Sequence, residues 1–415
     1  MGYQQGLSGL AASSNDLDVI GNNIANANTV GFKQSTAQFA DVYANTIATS
    51  VGNQIGLGAS LQTVQQDFAQ GTISTTGQAL NVAINGNGFY QMSHNGTITY
   101  SRNGVFQLDK NGFITDASGN DLMGYAASST GVINTAQTVP LQVPTTNIAP
   151  VATKNITAQL NLNAQATTPT TTTFSETDST SYTYSTSVTA YDTLGGAQTV
   201  NMYFAKDATS GQWTVYAGQP GSVEKLGTAQ FSSSGALQSI TPDPTNATVS
   251  SNGTTSFTFS INPTDGSTKP QSLTLDLAGT TQYGSANGVN NLAQDGYASG
   301  TLSNFSIAAD GTITGNYSNG QTMSLGQIVL ANFNNPNGLL NLGGNQFQQT
   351  AASGVAQVST PGSTNHGTLT GGALEASNVD LTNQLVDLIT AQRNYQANAQ
   401  TIKTQQTVDQ TLLQM

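Results

Sequence analysis

The chain has 415 residues, of which only 36% are hydrophobic and 7% charged; that length allows two or three domains, while the composition excludes one large enzyme-like core. Nine Lys and Arg against 21 Asp and Glu leave a net charge of −12, and cations so few and scattered exclude nucleic acid or an anionic membrane as a partner. Cysteine is absent, which removes disulfides, thiolate nucleophiles and cysteine metal ligands from consideration.

At the N-terminus Tyr3, Leu10, Leu17 and Ile24 recur every seven residues, with Ile20 and Ala27 three further on from the last two. This spacing lays one apolar seam on a helix, predicted within residues 1–31 to run to Asn28 and to end near Gly31. Its polar face carries only Asp16 and Asp18 as charges, so the helix is expected to be buried among neighbours rather than solvated. Residues 32–71, broken by Gly52, Gly56, Gly58 and Gly71, read as an extended linker.

From residue 72 the pattern becomes that of strands. Asn-Gly pairs at 85–86, 87–88, 95–96, 103–104 and 111–112 supply the positive φ angles of tight hairpin turns. They define an inner β domain whose first part spans 72–148. Pro140, Pro144 and Pro150 mark a boundary, and strand alternation resumes at 187–191, 199–204, 256–261 and 272–277 in a second β domain placed at 149–284. The Thr-rich run 167–173 inside it reads as a surface loop. Residues 285–368 return to the earlier style with Asp295-Gly296, Asp310-Gly311 and Asn319-Gly320, so they are expected to complete the inner domain around an inserted outer one.

The last segment, 369–415, repeats the heptad: Leu374, Leu381, Leu388, Tyr395 and Ile402, flanked by Leu385, Ala391 and Ala399. Each terminal seam asks for another helix to cover it. The candidate polymerisation seam is Leu10, Leu17, Ile20 and Ile24 with Leu381, Leu385, Leu388, Tyr395 and Ile402. The fold class expected is mainly β with terminal α-helices: paired coiled-coil-like ends, a discontinuous β domain and an inserted outer β domain.

Reactive chemistry is not written in this chain. His94 and His366 stand far apart with no acidic cluster of metal-ligand spacing. Asp109-Lys110-Asn111-Gly112 opens like a calcium loop, but Phe113 takes the third ligand position and no closing glutamate follows, so a hairpin turn is expected. Gly86-Asn87-Gly88 lacks the third glycine and helix of a dinucleotide site. No catalytic, cofactor or metal site is assigned, and no enzyme activity is expected. The N-terminus has no basic region followed by an apolar run, and no stretch reaches membrane-spanning length; no membrane insertion is expected, and any export would proceed without signal cleavage.

Residues 17–33, through Asn22, Asn23, Ile24, Ala25, Asn26, Gly31, Phe32 and Lys33, resemble the signature of bacterial flagellar axial proteins of the rod and hook group. Ser377-Asn378-Val379-Asp380 and residues 391–399 resemble that group's C-terminal signature. Gly86-Asn87-Gly88-Phe89, residues 100–104, 294–297, 316–320 and 327–333 look most like the hook branch. The resemblance implies a self-assembling subunit of a curved, flexible helical tube that transmits motor torque from rod to filament. It implies export by the flagellar type III apparatus and a location in the hook outside the cell. Implied partners are further copies of the chain, the distal rod protein, the hook cap and the hook-filament junction protein. In this reading Gly-rich connections near 52–58 and 284–300 absorb hinge motion. The alternatives are a distal-rod or hook-associated axial protein and, from another class, a secreted β-rich adhesin, which would not need matched terminal heptads.

Overall fold

The computed structural model describes residues 2–42, 56–249 and 255–413. Residues 43–55, which hold most of the proposed 52–58 connection, lie outside them. Helix α1 spans Gly2–Ala25 and helix α2 spans Leu381–Leu413. The first ends three residues before the position expected. Asn26 N–H is shared between the Asn22 and Asn23 carbonyls at 3.1 and 3.2 Å, and the chain then turns through Thr29 to Gly31. Gly31 has φ +70, and a Cβ there would stand 2.7 Å from the Arg102 carbonyl oxygen, so no other residue fits this exit.

Helix α2 starts at Leu381 because Asp380 caps it: Oδ1 accepts the N–H groups of Thr382 and Asn383 at 2.8 and 3.2 Å. Leu374, counted in the heptad, instead belongs to the strand Ala373–Glu375, paired with Ile73–Thr75. Thr390, Thr401, Thr404, Thr407 and Thr411 each donate to the carbonyl four residues back, which accommodates β-branched polar residues in an exposed helix.

The chain divides into two compact units. Unit 1 comprises Met1–Thr145, Ser303–Asn316 and Thr322–Met415, and unit 2 comprises Thr146–Leu302 and Tyr317–Gln321. In unit 1 the described parts of the 32–71 segment are more regular than a linker. Ser35–Val42 and Gly58–Gln66 form an antiparallel pair from Ser35 opposite Gln66 to Val42 opposite Gly58. At its base Phe68 meets Phe89 and Phe347 edge to face, with ring centres 5.5 and 5.7 Å apart. In the main sheet, Asp121–Ala126, Phe89–His94 and Thr97–Ser101 lie between Thr322–Ile328 on one side and Gln346–Gln348 on the other. Strands more than 200 residues apart in sequence therefore share one sheet, and the β domain of unit 1 is discontinuous.

Unit 2 has a five-stranded antiparallel meander from Tyr184 to Pro242 and a second, mixed sheet built around Asn155–Asn163. Alternate residues of both turn inward, so that Trp213, Phe204, Phe257, Leu273 and Leu275 are fully buried in one core. The exit of this unit differs from the boundary set at 284. Gly288–Gln294 pairs antiparallel with Asn155–Asn163, Gly288 opposite Asn161 and Gln294 opposite Ile156. The entry and exit segments then bridge at Ile148 with Gly300 and at Val151 with Tyr297. Residues 288–294 of the 284–300 segment assigned to hinge motion are thus a hydrogen-bonded strand of the mixed sheet. Asp109 serves its turn as expected, Oδ1 accepting the N–H groups of Asn111 and Phe113 at 2.9 and 2.7 Å.

Candidate assembly surface

The two terminal helices pack antiparallel. Asn23 Nδ2 donates to Gln384 Oε1 at 3.0 Å near one end. Toward the other, a Cβ on Gly9 would stand 2.7 Å from Asn398 Oδ1 and one on Gly6 2.8 Å from Ile402 Cγ1. The centre of the contact is small or polar. Gly6, Ser13 and Ile20, seven residues apart, are buried on α1, and Gln384 and Ala391 on α2. Glycine and alanine let the backbones approach closely, and a buried amide pair at one level fixes the register.

The apolar heptad lies beside that centre. Of the nine seam residues only Ile20 is buried in the single chain. Leu10, Leu17, Ile24, Leu388 and Ile402 are half-buried at its margin, and Leu381, Leu385 and Tyr395 are exposed. Leu7, Val386, Ile389, Val408 and Leu412, at 46–65% exposure, extend the apolar surface around the pair. The expectation that the Leu/Ile line is what the ends bury against each other is therefore corrected: small residues win the centre because they shorten the interhelical distance. What remains is a helix pair with apolar flanks, a surface that water disfavours and that another protein surface would cover.

Asp16 and Asp387 face a groove of about 270 Å³ between the helices, beside Ile20, Asn23 and Gln384. Burial, reinforced by the Asp387 carboxylate, raises the Asp16 pKa above the ordinary carboxylate value. A raised acid contributes stability below its unfolded pKa and loses it as pH rises through the folded value. Asp16→Asn should therefore raise the thermal midpoint of the helix signal at pH 7, and the gain should shrink as pH falls toward 4. Circular dichroism at 222 nm checks both; a gain independent of pH would exclude like-charge repulsion as its cause.

The family-signature residues work as fasteners rather than as chemistry. Asn22 and Asn26 bond to each other, and Asn26 Oδ1 accepts from Thr29 at 3.1 Å, shaping the helix exit. Asn23 is buried and binds the Ser35 backbone twice, N–H to Oδ1 at 2.9 Å and Nδ2 to O at 2.7 Å, besides Gln384. Ile24 and Phe32 are half-buried and Ala25 is exposed. Gly31 N–H donates to the Glu375 carbonyl at 2.9 Å, and Lys33 reaches the Glu375 side chain.

That last contact anchors an ionic junction legible only in three dimensions. Glu375 Oε1 accepts from Lys33 Nζ at 2.7 Å and from Gly71 N–H at 2.8 Å; Oε2 accepts from Arg102 Nε at 3.2 Å. Lys33 also donates to Ala69 O and Arg102 to Gly86 O, both at 2.7 Å. All three side chains are at most 2% exposed. Burial, then the nearby Arg102, pushes the Lys33 pKa below the usual lysine value, and Glu375 opposes the shift. Asn378 adds a neutral tie, accepting from Gln34 N–H at 2.7 Å and donating to Asp67 O at 2.8 Å. Together these bonds clamp the exit of α1, the entry of α2 and the β body into one joint.

Comparison with known proteins follows the same map. Residues 4–33 match the profile of the flagellar basal body rod protein, and 370–415 that of the flagellar basal body rod FlgEFG protein C-terminal region. Residues 83–167 match the flagellar hook protein FlgE/F/G D1 domain, and 161–297 the flagellar basal body protein FlaE D2 domain. The flagellar hook protein FlgE of Salmonella typhimurium is 43% identical over 425 residues, covering 100% of both chains. That of Escherichia coli K12 is 42% identical with the same coverage, and that of Treponema pallidum 32% identical over 99% of this chain and 98% of its own. The crystal structure of Helicobacter pylori flagellar hook protein FlgE2 aligns over 73% of this chain and 100% of its own with a TM-score of 0.50 at 14% identity, a likeness of fold.

Proposed function

The chain belongs to the flagellar hook protein family, and on that premise we propose that it builds the hook by stacking its helix pairs into the wall of a helical tube. It is a structural subunit of the flagellar hook, not an enzyme. The observation that carries the assembly mode is the inverted helix pair: polar and small at its centre, apolar on its flanks. A helix pair complete in itself would bury its leucines. This one leaves Leu385, Val386 and Ile389 for neighbouring copies, so each new subunit removes apolar area from water at about 25 cal/mol per Å².

The ionic joint suits the load. Torque arriving through the helices must pass into the β body across residues 31–33, 69–72 and 375–378. There it meets two buried cations on one carboxylate plus backbone hydrogen bonds, a geometry that resists shear. With 7% charged residues, the β surfaces present few like-charge contacts to identical neighbours that must shift as the tube turns.

The ends of the tube would meet the distal rod protein on one side and the hook cap, later the hook-filament junction protein, on the other. The subunit would reach them through the flagellar type III export apparatus, without signal cleavage, and work outside the cell. Among the described residues no helix is long and apolar enough to cross a membrane. Electron microscopy of the purified full chain brought to assembly should show curved hollow tubes. Straight rods would favour the distal-rod alternative, and no polymer under any condition would remove the assembly reading.

A further inference from the structure

Two loops of unit 2 bring two carboxylates together that form no salt bridge among the described residues. Asp192, which is fully buried, follows the strand Tyr184–Tyr191. Its Oδ1 accepts the N–H groups of Leu194 and Gly196, both at 2.9 Å, and its Oδ2 accepts from Gln198 Nε2 at 2.8 Å. Asp265 lies on the facing loop, with Oδ1 accepting from Ser267 N–H at 3.1 Å. The loops are joined by Thr268 N–H donating to Thr193 Oγ1 at 3.0 Å. A Cβ on Gly196 would stand 2.5 Å from Asp192 Oδ2 and 2.6 Å from Asp265 Oδ2. Asp192 Oδ2, which already accepts from Gln198, and Asp265 Oδ2 thus look onto the same small space. Neither carboxylate has an ion-pair partner among the described residues.

An independent observation points to a ligand there. Ser267 is 5% exposed; its hydroxyl is turned toward the Asp265 carboxyl yet has no partner of hydrogen-bonding geometry among the described residues. Gln271, 7% exposed, spends Nε2 on the Thr153 and Tyr191 carbonyls at 2.9 Å each, and its Oε1 is also unpartnered. Buried oxygens without donors are rare in folded proteins. A cleft of about 490 Å³, lined by Lys154, Thr193, Thr268 and Gln271 among others, opens beside Gln271.

We propose that this junction is a calcium site, with Asp192, Asp265 and Ser267 as protein ligands and water completing the shell. The donors are all oxygen, which selects a hard cation, and their irregular placement on two loops suits calcium better than the strict octahedron of magnesium. With only two carboxylates the affinity should fall in the range of extracellular calcium modules, a Kd of about 10⁻⁴–10⁻³ M. A bound ion would tie the meander to the mixed sheet at one corner and stiffen unit 2 when calcium is present outside the cell.

The full chain, stripped with chelator, is melted with and without millimolar calcium chloride while the fluorescence of Trp213, buried in the unit 2 core, is followed. At about 10 mM, ten times the weaker Kd, calcium should raise this midpoint by about 3 °C or more, magnesium chloride should do less, and Asp265→Asn should abolish the rise. Ser267→Ala should weaken calcium binding several-fold in titration calorimetry without altering the calcium-free melt, which keeps the test decisive if the first variant folds poorly. No calcium-dependent shift in the unaltered chain, or an equal shift in Asp265→Asn, would overturn the proposal. So would a midpoint that responds to pH and to Asp265→Asn but not to calcium, since the two carboxyls would then share a proton.

Discussion

Glu375→Gln should destabilise unit 1 by about 3–5 kcal/mol, the usual result of removing one member of a buried ionic group. The carboxylate answers two cations and the Gly71 N–H; the amide keeps one accepting oxygen, so it cannot answer all three, and it carries no charge. Lys33 can relieve its own position by losing its proton, since burial already lowers its pKa. Arg102 cannot. It would remain buried with Gly86 O as its partner. For a unit of this size the loss corresponds to a fall in midpoint on the order of 10 °C. The single tryptophan separates the effects: Trp213 belongs to the unit 2 core, so its fluorescence-detected midpoint should hold while the calorimetric transition of unit 1 drops. A variant that melts as the parent does would show that the junction does not hold the joint.

This joint also marks the limit of what the sequence could reveal. The terminal helices were readable because a seven-residue period is a local property of consecutive side chains. Which line of each helix becomes the centre was not. Gly6, Gly9, Ser13 and Asn398 meet through close backbone approach, and hydrophobicity does not encode that. Lys33 and Glu375 lie 342 residues apart and Arg102 and Glu375 273, so no motif could join them. One signal was available: in a chain with 7% charge, a glutamate set among Gly, Ala and Leu at 371–376 is conspicuous. The unit 2 exit was misplaced for a related reason. Residues 284–300 carry the same Asn and Gly content as the hairpin turns of unit 1, and only long-range pairing with Asn155–Asn163 makes 288–294 a strand.

Ile20→Asp and Ile389→Asp should both abolish tubes, but for different reasons that one pair of measurements separates. Ile20 is buried between the helices of a single chain. A carboxylate there, beside Asp16 and Asp387, loses hydration without a partner at a cost of several kcal/mol. The helix pair should open and the 222 nm ellipticity should fall. Ile389 is 51% exposed on α2, so the monomer tolerates a carboxylate with no change in ellipticity or in its thermal midpoints. Assembly would not tolerate it, because the proposed polymer buries this position against the apolar flank of a neighbour. Each 1.4 kcal/mol lost per contact raises the concentration needed for growth about tenfold, so a loss of about 3 kcal/mol moves it by roughly a hundredfold. Electron microscopy of Ile389→Asp should show no tubes at concentrations where the parent grows them. Tubes of normal yield from that variant would mean that the exposed flank of α2 faces solvent in the polymer, and the wall would have to be built from another surface.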